Sequence, residues 1–126
     1  MATPIVTLGT NLSTASGYVS GATQTSAASI TYTNASAFYL ENVTIHTSGL
    51  SSGTSDLFKI TLDSDAGSDY DVLLLESDMK NLSTQDLLYQ PDSPLLLKGG
   101  DAINVTYANT HSGGLYWAIR LVTRLS

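Results

Sequence analysis

The stretch from Pro94 to Leu125 constrains the fold more than any other part of the chain. It runs Pro-Leu-Leu-Leu-Lys-Gly-Gly-Asp, then Ala-Ile-Asn-Val-Thr-Tyr, then a polar loop, then Leu-Tyr-Trp-Ala-Ile-Arg-Leu-Val-Thr-Arg-Leu. Ile103, Val105 and Tyr107 alternate with polar residues. Leu115, Trp117, Ile119, Leu121 and Leu125 share one face of a long closing strand. A period of two belongs to strands with one face in a core. Gly99-Gly100 separates Leu95–Lys98 from Ala102–Ala108. Two glycines tolerate positive φ, so the pair predicts a hairpin between those strands.

The pattern extends upstream. Ser29–Thr33 alternates, and Ala37–Thr47 reads as a long strand. Its apolar positions move from Phe38 and Leu40 to Val43 and Ile45. That change of parity predicts a bulge near Glu41-Asn42. Phe58, Ile60 and Leu62 share a face, and after an acidic turn so do Tyr70, Val72 and Leu74. Ser83-Thr84-Gln85-Asp86 has the spacing of a capping box, which predicts one or two helical turns over 84–89, stopped by Pro91. Strands separated this closely by turn residues predict an all-β fold. The specific expectation is an antiparallel, jelly-roll-like β-sandwich of about eight strands over residues 27–126. Residues 1–26 differ, being rich in Gly, Ser and Thr and poor in large apolar groups. They read as an extended N-terminal arm with a short strand at Ile5–Leu8, either loose or ordered against a neighbour.

Composition removes several functions. The 126 residues suit one domain and bury enough surface for one core. There is no cysteine, hence no disulfide and no thiolate for zinc, which is compatible with a reducing cytosol. The net charge of −6, eleven acids against five bases, argues against nucleic acid, whose phosphates need Lys and Arg. No apolar run approaches the roughly 18 residues of a membrane span. Met1-Ala2-Thr3-Pro4 leads into no basic and then apolar leader.

The chemical motifs are weak. Asp63, Asp65, Asp69 and Asp71 alternate around Gly67, the donor chemistry of a calcium loop. Leu74 stands where such a loop carries its bidentate Glu, so a soluble turn is the leading reading and calcium the alternative. Gly49-Leu-Ser51-Ser-Gly53 matches a nucleophile elbow in letters, but that motif needs a strand-to-helix turn in an α/β sheet. His46 and His111, the only histidines, both read as exposed and make a poor metal set. Asn11, Asn34, Asn42, Asn81 and Asn104 open Asn-x-Ser/Thr triplets, as chance allows where Ser and Thr are abundant. Trp117, Tyr107 and Phe58 are assigned to the core, and Tyr18, Tyr39 and Tyr116 to the surface. No catalytic residue and no cofactor are assigned, and the chain is not read as an enzyme.

Two features point to association. Leu73-Leu74-Leu75 and Leu95-Leu96-Leu97 are apolar on both faces of their strands, where a sheet with one wet face should alternate. The second face of the last strand carries Tyr116, Arg120, Val122 and Arg124. Two of the five basic side chains thus share one face, about 13 Å apart. This face is either solvated or a subunit interface whose arginines meet a neighbour's carboxylates.

The segment Leu95-Leu-Leu-Lys-Gly-Gly-Asp-Ala-Ile-Asn-Val-Thr-Tyr-Ala-Asn, followed by Gly-Leu-Tyr-Trp-Ala-Ile-Arg-Leu, resembles the ending of small jelly-roll virion proteins of tailed bacteriophages. It covers about a third of the chain, and the doubled Gly99-Gly100 departs from the family's Lys-Gly-Asp turn. The resemblance implies a capsid decoration (cement) protein, made in the host cytoplasm and carried on the capsid exterior. It would be a homotrimer bound to the major capsid protein, without nucleic acid or membrane as partner. Ile5, Val6 and Leu8 would help to clamp a neighbour, with Tyr116, Arg120, Val122 and Arg124 as the interface. The alternative is a carbohydrate- or receptor-binding module of a tail or head fibre.

Overall fold

A computed structural model of the chain describes residues 27–112 and 114–126 in full, together with the backbone of two strands, Ile5–Leu8 and Thr14–Ser20. In chain order the strands are β1 (Ile5–Leu8), β2 (Thr14–Ser20), β3 (Ala28–Thr33), β4 (Phe38–Thr47), β5 (Leu57–Asp63), β6 (Val72–Asp78), β7 (Asp86–Tyr89), β8 (Leu95–Leu97), β9 (Ala102–Tyr107) and β10 (Trp117–Leu125). A helical turn, α1, spans Met79–Leu82, and a 3-10 turn spans Ser68–Tyr70. Eight of the strands lie within residues 27–126, as the sequence predicts.

The first sheet has the order β1-β3-β9-β5-β6. The second has the order β2-β10-β4-β7, with β8 also paired to β4. Pairing is antiparallel throughout except for β1 on β3. The chain crosses repeatedly between the two sheets of the sandwich. Alternation supplies the core between them. Ile30, Tyr32, Phe58, Ile60, Ile103, Val105 and Tyr107 point inward from the first sheet, and Phe38, Leu40, Val43, Ile45, Trp117, Ile119 and Leu121 from the second. All are essentially inaccessible, and each aliphatic or aromatic group contributes roughly 1.5–3 kcal/mol by leaving water. Tyr32 and Phe38 meet edge to face across the sandwich, with ring centroids 5.0 Å apart.

The predicted bulge is present. Asn42 pairs with Val122 and Leu40 with Thr123, leaving Glu41 as the extra residue of β4. A second bulge was not foreseen. Leu75 pairs with Ile60 and Leu73 with Thr61, so Leu74 is extra. Leu74 and Leu75 therefore both pack against the core, while Tyr70 and Val72 are exposed, which corrects the shared face predicted for Tyr70, Val72 and Leu74.

Two connections also differ from expectation. Gly99-Gly100 is no hairpin, because β8 pairs in the second sheet and β9 in the first. The glycines make a turn from one sheet to the other, closed by Asp101 N–H donating to Lys98 C=O at 3.1 Å. Gly100 has φ 92°, and a Cβ on Gly99 would lie 2.2 Å from the Ala35 carbonyl oxygen. The need for glycine was legible, but the partner strand was not. The helical turns predicted over 84–89 are strand β7 instead, with Leu87 opposite Ile45 and Leu88 opposite Thr44. The helix lies earlier, because Met79 is buried as its anchor, Asp78 accepts from Lys80 N–H as N-cap, and Ser83 ends it at φ 50°.

Within the predicted arm, Ile5–Leu8 is strand β1, pairing with β3 of its own chain. Thr14–Ser20 adds β2 alongside β10, which composition did not predict. Pairing with an existing strand orders backbone without requiring large side chains.

Candidate binding face

The outward face of the second sheet carries the candidate site. In β10 the inward set Trp117, Ile119, Leu121 and Thr123 is buried, which turns Arg120 and Arg124 outward to solvent. Register then fixes their neighbours. Ala118 stands opposite His46, Arg120 opposite Thr44, Val122 opposite Asn42 and Arg124 opposite Tyr39. Leu88 lies beyond Thr44 on β7, and Leu96 beyond Tyr39 on β8.

Apolar side chains on this face stay open. Leu88 is 55%, Leu96 56% and Tyr116 55% exposed. This is the second apolar face predicted for Leu95–Leu97, and Leu73 repeats it on the edge of the first sheet at 55%. Leu88 escaped the sequence reading because Leu87-Leu88 was assigned to a helix. Its signal was present, since two adjacent leucines in a strand must send one outward.

The charges divide into satisfied and unsatisfied groups. The bulge turns Glu41 towards Arg124, whose Nε–H donates to Glu41 Oε1 at 2.5 Å. The Arg124 guanidinium also sits 4.2 Å from the Tyr39 ring centroid. His46 Nδ1 and Asp86 Oδ1 pair at 2.7 Å. Arg120 makes no ion pair among the described residues. It borders a shallow depression of about 390 Å³, whose other side chains include Thr44, His46, Asp86, Leu88 and Ala118. The structure thus puts Arg120, Val122 and Arg124 on one side of the second sheet, with Tyr116 exposed just before β10. For Ile5, Val6 and Leu8 it gives backbone only, and their side chains lie outside the described residues. Tyr18 pairs opposite Arg120 through backbone, and its side chain too lies outside them.

The outward face of the first sheet is a contrast. Thr31 Oγ1–H donates to Asn104 Oδ1 at 2.8 Å, and Asn104 Nδ2–H to Asp63 Oδ2 at 3.3 Å. Thr33 Oγ1–H donates to the Asp101 carbonyl, and Lys59 pairs with Glu76 at 3.3 Å.

The other motifs resolve into local structure. Asp71 Oδ1 accepts from Ser64 N–H, and Asp63 is held by Asn104. Among the described residues no three carboxylates or imidazoles gather as a metal ion would require, so Asp63, Asp65, Asp69 and Asp71 are not brought together as a calcium cage. Ser51 Oγ accepts from Gly53 N–H, while it is Ser52 that meets His111, at 3.0 Å. His111 is half-buried there, not exposed as predicted, because its ring Nδ1 also accepts from Ser52 N–H. His46 is exposed, and Trp117, Tyr107 and Phe58 are core, as assigned.

One polar cluster was missed altogether. Asp56 is fully buried, accepting Tyr107 Oη–H at 2.5 Å and Thr110 N–H at 2.7 Å. Burial, then the adjoining Asp56, pushes the Tyr107 phenol far above its ordinary range. Asp78 Oδ1 in turn accepts from Asp56 N–H at 2.9 Å. This cluster ties the 48–56 loop and the 108–112 loop to one end of the sandwich. Its donors and acceptors satisfy one another, and it reads as structural.

Comparisons of the chain with protein-family models, with curated proteins and with solved structures return no match.

Proposed function

We propose that this protein is a non-enzymatic structural binder that attaches, as a homo-oligomer, to the assembled shell of a tailed bacteriophage and stabilises it from outside. The observation that carries the binding role is the outward face of the second sheet, where Leu88 stands open beside Arg120, Leu96 stands open beyond Tyr39, and Tyr116 is exposed just before β10. A face of that kind is a candidate for cover by another protein. The phage shell itself rests on the resemblance of the Leu95–Leu121 stretch to virion proteins. The mechanism needs no chemistry. A ligand that binds the assembled shell and not its free subunits stabilises the assembled state by mass action. Several linked copies raise avidity without any strong single site.

Co-sedimentation with expanded phage heads and, separately, with unassembled capsid subunits tests this reading. Retention on heads alone, together with a rise in the temperature at which heads open, is the expected result. Protein left in the supernatant with both would sink it.

A second reading, recognition of a carbohydrate or receptor, is favoured by one observation. The depression beside Arg120 combines polar walls with an apolar side, Leu88, as small-ligand sites do. A glycan-array signal abolished by Arg120→Ala or Tyr116→Ala would select it.

A further inference from the structure

The described surface holds a second exposed apolar cluster, and its chemistry complements the first. The turn between β5 and β6 ends in Asp69-Tyr70-Asp71, followed by Val72 and Leu73. Tyr70 is 65% exposed, the most open of the large hydrophobic residues among those described. Asp69 and Asp71 flank it in the chain, and Asp69 accepts no hydrogen bond among the described residues. An exposed aromatic ring between carboxylates suits a shallow apolar hollow with a guanidinium at its rim. The depression bordered by Leu88, Ala118 and Arg120 is such a hollow. The one carboxylate in its wall, Asp86, is engaged by His46.

We infer that the Asp69-Tyr70-Asp71 tip of one copy docks into the Arg120 depression of a second copy of this chain. This rests on the proposed binding role of that face and names its partner. One chain cannot fill its own depression. The tip leads into the edge strand of the first sheet, beside the Ala102 end of β9, to which it is tied by Asp65 N–H donating to Asp101 Oδ1 at 2.9 Å. The depression faces away from that sheet, on the far side of the second. The two surfaces share no residue, so the contact is head to tail. Each copy offers one tip and one depression, and a ring leaves neither unfilled. Tyr70 supplies the buried aromatic anchor, and Arg120 the charged group that meets Asp69 and Asp71. The contact must weaken with salt, because its charges lie at an exposed rim.

Sedimentation velocity of the full chain over a concentration series tests the contact, with circular dichroism confirming that each variant folds. Tyr70→Ser and Arg120→Glu, both at exposed positions, should each weaken self-association at least about tenfold. Mixing the two variants should restore association, but only to dimers. The intact tip of the Arg120→Glu chain fits the intact depression of the Tyr70→Ser chain, and the other ends are blocked. Wild-type association unchanged by Tyr70→Ser would overturn the contact, as would a wild-type chain that stays monomeric throughout the series. Co-sedimentation with phage heads, run on the same samples, separates the two ideas. Self-association insensitive to Tyr70→Ser, with heads still bound, removes the tip contact and keeps the shell role. Rescue on mixing, with heads not bound, keeps the contact and removes the shell role.

Discussion

The two outward faces of this sandwich are built from the same alternating strands, yet they solve opposite problems. On the first sheet, Thr31, Asn104 and Asp63 bond to one another in a row, and Lys59 pairs with Glu76. Among the described residues, Leu73 at its edge breaks the polar surface. On the second sheet, Leu88, Leu96 and Tyr116 stand open, and Arg120 lacks an ion pair among the described residues. A face that satisfies its own polar groups has little to gain from a partner. A face that leaves apolar area and a guanidinium open gains when both are covered. The difference separates what holds the chain folded from what it offers to others, and the two can be tested apart.

The sharpest separation lies in the satisfied part of the molecule. Asp56→Ala removes the acceptor of the buried Tyr107 Oη–H and of the half-buried Thr110 N–H. One buried donor and one half-buried donor left unpaired should cost about 2 kcal/mol, read as a fall in the urea midpoint without loss of slope. Association per folded molecule should not change. If association fell in step, the division between folding and binding surfaces would break. The converse variant is Leu88→Lys with Leu96→Lys. Folding stability should shift by less than about 0.5 kcal/mol, because both side chains are exposed. Binding to shells or to a second copy should drop at least about tenfold, or 1.4 kcal/mol. The same double change to Lys at Thr31 and Thr106, on the first sheet, should leave binding within about twofold. Equal losses from both pairs would show that the two faces do not differ in use.

How far the residues announced this arrangement depends on the scale of the signal. Strand positions and the core were legible because alternation is a local property. Phe38, Leu40, Val43 and Ile45 even located the bulge, since a bulge must show as a change of parity within one strand. Arg120, Val122 and Arg124 were legible as one side of the molecule for the same reason. What failed was non-local. Gly99-Gly100 declares a turn but does not name the sheet that follows. Thr84–Tyr89 has a local helical signature that pairing with β4 overrides. Asp56 carries no local mark at all, because its partners lie more than fifty residues away. Leu88 became visible as open only once β7 had been given faces, and Tyr70 only once it stood in the turn before β6.

Smaller effects sharpen the comparison from within the second sheet. Thr123 Oγ1 is buried beside the β4 bulge and finds no hydrogen-bond partner among the described residues. Thr123→Val keeps the shape and removes the unpaired hydroxyl, so it should stabilise the fold by about 1 kcal/mol. A midpoint that falls instead would mean the hydroxyl is satisfied in solution. On the outward side, Glu41→Gln weakens the charge partner of Arg124 at a position open to solvent. The expected cost is about 0.5 kcal/mol, shrinking with added salt. A larger loss that ignores salt would place Arg124 among the structural residues and leave Arg120 alone as the charge this face offers.

The smallest effect at neutral pH belongs to Asp78, and it becomes visible only in acid. Its carboxylate accepts from the backbone N–H of Asp56 and of Lys80, and from Asn81 Nδ2–H, so it belongs to the self-satisfied end of the sandwich. Those bonds, the one from Asp56 first, favour the ionised form and hold the pKa below its ordinary value. A carboxyl depressed in the folded state adds stability above its unfolded pKa of about 3.9 and loses it as pH falls through the folded value. Wild-type stability should therefore decline as pH drops below about 4. In Asp78→Asn the acid decline should be shallower, because that carboxyl no longer takes up a proton. Near pH 7 the amide oxygen can still accept from Lys80 N–H, so the helical turn at Met79–Leu82 keeps its cap and stability changes little. Self-association should be untouched at either pH, since Asp78 lies on neither the Arg120 depression nor the Tyr70 tip. An unchanged acid slope in Asp78→Asn would show that the protons taken up on acid unfolding belong elsewhere.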